Sequence, residues 1–322
     1  MSVPTVLSTI LGVRYPILNA PMTPQAGGAL ARAVAESGAV GMLGFDEGES
    51  AESLRAQIGL IYARDAQLTF GIGLVAWVLE ARPELVDLAI EARPKLVAIS
   101  FGDPARYVAR FHAAGILVAS QVQSRAWAER ALAAGVDFLV AQGTEAGGHT
   151  GKVGTLPLLQ IVLELAGNTP VIAAGGIATG RGLAAVIAAG ACGAWIGTPF
   201  LAATEARTNA AAQARLAAAN ETETILTSAF DRVQHKAWPR EFPGRALRNA
   251  FTDRWDQQAT AITDEAEAAF RAARARQDYD IAHIYAGQSV GLVRGTGAAG
   301  DIVKRIVAEA DARLQSISTL RF

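Results

Sequence analysis

Short, nearly continuous apolar runs alternate with alanine-rich stretches over the first two hundred residues. The runs cover residues 16–22, 39–44, 68–74, 95–101, 116–121, 136–142, 170–175 and 192–197. Each closes at or near Gly, Pro, Ser or Gln. Runs that are apolar on both faces belong to parallel strands covered by helices. They recur about every 25 residues, near the ~30 of a compact strand–helix–strand unit. Several intervening helices end in glycine, at Gly38, Gly115, Gly135 and Gly190. Glycine there supplies the left-handed residue that turns a helix toward the next strand. Eight such units predict a closed (β/α)₈ barrel. An open doubly wound sheet has the same alternation and stays as the alternative.

The texture changes after residue 200. Residues 205–286 are rich in Ala, Glu, Arg, Asp and Thr, with a helical stretch at 264–277 and a Pro/aromatic knot at 237–249. This predicts a smaller, mostly helical insertion on a barrel built from 1–204 and 287–322. The insertion is expected to cover the pocket or to form a homodimer face. A helix at 302–315 is expected to close the barrel as its eighth outer helix.

Composition sharpens the picture. The chain has 322 residues, 51% of them hydrophobic and 18% charged, which excludes a disordered chain. Its 29 basic and 30 acidic residues give a net charge of −1. No excess positive charge is available for a nucleic-acid backbone or an anionic bilayer. A single cysteine, Cys192, excludes an internal disulfide and a cysteine zinc site; its place in the eighth run predicts a core residue. The uncharged stretch 182–204 is long enough to span a bilayer, about 20 residues. However, Gly182, Gly190, Gly193, Gly197 and Pro199 break it into helix, turn, strand and loop. The N-terminal segment lacks the charged front of a secretory signal. A cytoplasmic protein is expected.

Barrels place their chemistry at the C-terminal strand ends. Those positions hold Pro21 and Met22, Gly73, Ser100, Gln121, Gln142 and Gly143, Gly175 and Gly176, and Gly197 and Thr198. The last two pairs follow strands seven and eight, where glycine-rich turns present backbone N–H groups to phosphate. The loop after strand six, 142–151, carries four glycines around His149. Imidazole exchanges protons near neutral pH, so His149 is the candidate acid–base group. His112 reads as a helix C-terminal histidine, and His235 and His283 as surface or packing residues. No histidine pair has metal-ligand spacing, so no metal is expected. Gly295, Gly297 and Gly300 match GxGxxG but lack the following strand and acidic residue of a dinucleotide site. They read as a turn or a flavin phosphate contact.

NAPM at 19–22, QGTEAGGHTG at 142–151, AAGGIATG at 173–180 and IGTPF at 196–200 together resemble the nitronate monooxygenase family, formerly 2-nitropropane dioxygenases. WPREFPGRALRN at 238–249 and YAGQSVGLV at 285–293 extend the similarity over nearly the whole chain. The resemblance implies an FMN-dependent barrel with a helical second domain. It implies Pro21 and Met22 against the flavin ring, Gln142 and Gly143 at its border, and Gly175, Gly176, Gly197 and Thr198 on the phosphate. Ala20, Gly73, Gln121, Gly147 and Gly148 complete the implied cofactor set, and His149 matches the catalytic histidine. The family's third strand usually ends in Asn; here the matching position is Gly73. The implied activity is oxidation of an alkyl nitronate or nitroalkane by FMN and O₂, with His149 taking the α-proton or hydrogen-bonding the nitronate. An NAD(P)H-dependent reductase of quinones or enoyl-acyl groups is the alternative, with residues 73–77 widening the pocket. A non-catalytic barrel sensing a phosphorylated metabolite is the third.

Overall fold

The computed structural model describes residues 4–45, 48–63, 65 and 67–318. The few terminal positions of the expected barrel segments outside these ranges lie outside the described residues. Eight parallel strands form one sheet: β1 (Ile17–Asn19), β2 (Gly41–Gly44), β3 (Phe70–Val75), β4 (Leu96–Ser100), β5 (Leu117–Val122), β6 (Phe138–Gln142), β8 (Val171–Ala174) and β9 (Gly193–Ile196). They follow each other around the sheet in chain order, with β9 beside β1. A bridge between Leu18 and Val40 joins β1 to β2, so the sheet closes into a barrel. The eight expected runs are these eight strands.

Closure rests partly on one side chain. Buried Asn19 donates from Nδ2 to the Met42 carbonyl at 2.8 Å and accepts from the Met42 N–H at 2.7 Å. The amide copies a backbone ladder step where β1 and β2 share only a single bridge.

Alternate residues of each strand face opposite ways. In β4, Leu96 and Ala98 join the inner cluster with Val40, Met42, Phe138, Val140 and Ile172. Val97 and Ile99 face outward under the helices. Leu7 and Leu11, on a helix at Val6–Leu11, enter the inner cluster from below. Thr5 caps that helix, and Gly12 ends it in the left-handed conformation at φ 68°.

The outer layer comprises Gly28–Glu36, Ala51–Tyr62, Glu84–Glu91, Ala105–Ala113, Arg125–Ala133, Thr155–Ala166, Gly180–Ala188 and Ala299–Ile317. Gly38, Gly115, Gly135 and Gly190 all have positive φ, between 73° and 109°, as helix-to-strand turns require. Helix Ala299–Ile317 packs between Gly180–Ala188 and Gly28–Glu36 and fills the last place in the ring. Its Glu309 accepts a hydrogen bond from the Gly180 N–H at 2.9 Å, capping the neighbouring helix.

Segment 205–286 is helical at Ala210–Ala218, Ala229–Val233, Ala250–Trp255 and Asp264–Arg276. It also carries two short strands, β10 (Thr224–Thr227) and β11 (Gly244–Leu247), which the residue pattern does not announce. With β7 (Gly148–His149) they make an antiparallel sheet in the order β10-β11-β7. The loop after β6 is therefore a sheet edge that ties the barrel mouth to the segment above it. Gly297 bridges Ala203 in the GxGxxG stretch, which serves as a turn before the last helix. Stretch 182–204 is helix, turn and strand, followed not by a loop but by a short helix at Thr198–Leu201, and among the described residues no helix is long and apolar enough to cross a membrane.

Candidate active site

A cavity of about 350 Å³ opens at the C-terminal mouth of the barrel. Its floor and walls include Ala20, Pro21, Met22, Gly73, Gln121, Gln142, Gly175, Gly176, Gly197 and Thr198. Gly147, Gly148 and His149 line its side, and Trp238, Tyr279, His283 and Tyr285 come from beyond residue 205. Of the expected site residues only Gly143 is absent from the lining. It packs against Thr155, which a Cβ at 143 would overlap, and its carbonyl accepts from the Thr150 hydroxyl at 2.9 Å.

Gly73 needs a correction. Strand β3 runs on to Val75, so Gly73 lies inside it, paired with Gly44 and Ala98. A Cβ there would overlap the Pro21 ring. The glycine admits Pro21 to the cavity floor, and a side chain in its place would have to push the Pro21 ring aside. Leu74 and Val75 supply the lining at the strand end, an apolar surface.

The two phosphate turns have the geometry of an anion cradle. Gly175 and Gly176 have φ of 100° and 70°, which only glycine adopts readily. A Cβ on Gly175 would come within 2.9 Å of the Gly143 carbonyl. Among the described residues the N–H groups of Gly175, Gly176, Gly197 and Thr198 donate to no protein acceptor. The Thr198 hydroxyl accepts from the Gly287 N–H at 2.9 Å, which leaves its own proton to donate. Four open backbone donors and a hydroxyl suit a phosphate monoester, the anionic end of a nucleotide cofactor. Beneath the turn, Glu145 accepts from the Thr155 N–H at 2.8 Å, and the Thr155 hydroxyl lies 3.1 Å from the Gly175 carbonyl.

His149 is held on every side. As part of β7 it pairs with Gly244, and Gly148 before it takes φ 73°. Its carbonyl accepts from Gln142 Nε2 at 3.0 Å, and Gln142 Oε1 accepts from Gln123 at 2.9 Å. Gln142 thus spends both ends of its amide fixing the loop. The imidazole stacks on Trp238 with centroids 3.4 Å apart and planes 5° from parallel. Its Nε2 lies 2.9 Å from Oδ1 of Asp231, and both side chains are buried. The Tyr285 hydroxyl lies 3.4 Å from the same oxygen. Phe101, at the end of β4, adopts φ 60° and turns its ring toward Trp238, Phe242 and His149. A left-handed aromatic residue is strained, and such strain collects at functional sites.

Arg207, Lys236 and Arg274 also line the cavity, with Arg207 paired to Glu49 at 2.6 Å. His283 packs against Phe230, Phe270 and Tyr285, as expected of a packing residue, and also lines the cavity. Its Nδ1 is buried without a partner. Burial pushes its pKa down to about 3, helped by Arg274, Lys236 and His149, so it is neutral at physiological pH. His112 sits in a last helical turn 2.9 Å from Asp137. His235 is exposed beside Glu267. Cys192 is buried at the foot of β9, where burial raises its thiol to about 12.

Sequence reasoning missed Asp231, Trp238 and His283 as site residues. Trp238 lies within the 237–249 knot, so a signal existed. Asp231 has none: one carboxylate in SAFDRV reads as solvated until tertiary contact buries it.

A histidine–carboxylate pair and a set of open anion donors at the C-terminal mouth of a (β/α)₈ barrel place the protein among barrel proteins whose site can hold an anionic group. The family follows from its relatives. The nitronate monooxygenase family model matches residues 74–309, and the chain belongs to that family of oxidoreductases. The nitronate monooxygenase of Neurospora crassa is 30% identical, with 94% of this chain and 90% of the relative covered. That of Pseudomonas aeruginosa is 30% identical over 93% of this chain and 97% of its own. Among solved structures, FabK from Thermotoga maritima superposes with a TM-score of 0.84 at 28% identity, covering 98% of this chain and 99% of that one. Nitroalkane oxidase from Streptomyces ansochromogenes gives 0.82 at 28%, covering 97% and 99%.

Proposed function

We propose that the protein is an FMN-dependent nitronate monooxygenase acting on alkyl nitronates or nitroalkanes with O₂. The observation that carries this is the shared cavity: it is lined both by the open donors at Gly175, Gly176, Gly197 and Thr198 and by His149, which Asp231 backs from outside the lining. In this reading residues 205–286 are a cap on the barrel of 1–204 and 287–322, and the protein is cytoplasmic.

The four donors and the Thr198 hydroxyl would hold the FMN phosphate, while Ala20, Pro21 and Met22 would support the ring. When bound, FMN supplies the redox chemistry and the reaction with O₂. The chain's own residues do the rest. Arg274 brings positive charge to the wall of the cavity. Trp238, Phe101 and Tyr285 shield the imidazole from water. His149 accepts the α-proton of a neutral nitroalkane or, in its protonated form, donates a hydrogen bond to a nitronate already formed. The relatives named nitronate monooxygenase and the nitroalkane oxidase likeness support this reading.

The test is anaerobic mixing of the yellow holoprotein with an alkyl nitronate. Bleaching of the flavin band is expected, and His149→Ala should keep the colour while losing most turnover on nitroalkanes. A flavin unchanged by nitronate would overturn the reading. One observation favours a second reading, an NAD(P)H-dependent reductase: the apolar Leu74–Val75 wall together with the FabK likeness. Rapid bleaching by NADH or NADPH, with none by nitronate, would select it.

A further inference from the structure

We propose that Asp231 is the positioning residue of the site: it holds Nε2 of His149 as the protonated nitrogen and makes Nδ1 the atom that exchanges protons with substrate. The proposal deepens the reading of His149 as the acid–base group and rests on it.

The argument begins with hydrogen-bond valence. An ionised carboxylate is an acceptor only, so the 2.9 Å contact to Oδ1 requires the imidazole to donate from Nε2. A neutral imidazole has one donor and one acceptor nitrogen, so Nδ1 is then the acceptor. Among the described residues Nδ1 makes no hydrogen bond, while His149 lines the cavity. Turning the ring over about its Cβ–Cγ bond would set Cε1, not Nδ1, against the carboxylate and lose the bond, so Nε2 is the nitrogen that faces Asp231. Trp238 fixes its plane at 3.4 Å, and the Gln123–Gln142 relay pins its backbone. Nε2 lies on the β11 side, 3.5 Å from where a Cβ on Gly244 would stand.

Asp231 is itself placed. It sits on helix Ala229–Val233, whose first residue is held as the Thr227 hydroxyl accepts from the Ala229 N–H at 3.0 Å. The Lys236 N–H donates to its main-chain carbonyl at 2.9 Å. A carboxylate that is only 5% exposed and bonded to imidazole stabilises positive charge where it forms. The proton balance is simple. The nitroalkane α C–H bond breaks, Nδ1 gains the proton, and the electron pair remains on the substrate as nitronate. The resulting imidazolium is compensated by Asp231. A preformed nitronate has no such proton to lose and needs Asp231 far less.

The experiment compares wild-type holoprotein with Asp231→Asn and Asp231→Glu. In wild type, ¹⁵N NMR of His149 should show protonated Nε2 and unprotonated Nδ1. Asp231→Asn should mix the tautomers and lower kcat on a neutral nitroalkane by about 10²–10⁴-fold, the usual worth of a positioned base. Its KM, and its turnover of the matching nitronate, should change only a few-fold. Asp231→Glu should restore part of the nitroalkane rate. A wild-type His149 protonated on Nδ1 would overturn the proposal even if Asp231→Asn fails to fold. Equal losses on nitroalkane and nitronate would overturn it too. The tautomer is read without turnover, so a protein inert to nitronates would remove the proposed activity while leaving the assignment of Nε2 to be judged by its spectrum.

Discussion

His283 shows how one buried side chain couples stability to pH. Its pKa falls from 6.5 to about 3 on folding, chiefly because burial disfavours the imidazolium. Between those values the unfolded chain binds a proton here that the folded chain does not, so stability rises with pH across that window. Acidification from pH 7 toward 3 therefore removes stability through this residue. His283→Phe, packed among Phe230 and Phe270, should show a smaller drop in Tm between pH 7 and pH 4.5 than wild type. An equal drop would refute the assignment. Gly73 gives a second expectation: Gly73→Ala drives a methyl into Pro21, which should cost about 1–3 kcal/mol and weaken flavin retention, both measurable by thermal melts with flavin release. At this scale the sequence was readable where the cavity is lined by glycines and strand ends. Gly175, Gly176, Gly197, Thr198 and His149 could be named because backbone donors and imidazole need those residue types in those loops. Asp231 could not, since only the contact with Nε2 separates it from a surface carboxylate. Gly73 misled because the run of apolar residues does not reveal that the strand continues to Val75.

The elements tell a similar story. The eight strands were legible because parallel strands buried on both faces leave uninterrupted apolar runs. The helices between them were legible through their glycine stops. Strands β7, β10 and β11 were not, being two to four residues long and held by their partners rather than by periodicity. The Val6–Leu11 helix also went unread, though its two leucines fill the bottom of the barrel. Leu7→Ala should destabilise by about 2–5 kcal/mol, as deletion of buried leucine atoms does, and a denaturant midpoint measurement would show it. Val6 is 55% exposed on the same helix, so Val6→Ala should shift the midpoint little. At the seam, Asn19→Ala leaves a buried N–H and carbonyl of Met42 without partners, at about 1–3 kcal/mol. The Asn of the NAPM motif thus serves closure, while its neighbours Ala20, Pro21 and Met22 serve the cavity.

At the scale of the molecule, the barrel is a ring of strands inside a ring of helices, and the cavity lies at the ring's mouth, where residues beyond 205 add to its lining. The pattern along the chain implied the count of units but not closure; the Leu18–Val40 bridge and the Asn19 clasp decide between barrel and open sheet. His149 belongs to both parts at once, rooted after β6 and paired with β11.

The order of the outer ring has a consequence for biosynthesis. The helix that fills the space between Gly28–Glu36 and Gly180–Ala188 is translated after the whole of 205–286. While the ribosome makes that segment, all eight strands have already been made, yet the flank awaiting Ile302, Val303 and Ile306 stays uncovered. Nascent chains arrested before residue 299 should therefore be cut by proteases and bound by chaperones that ignore the finished protein.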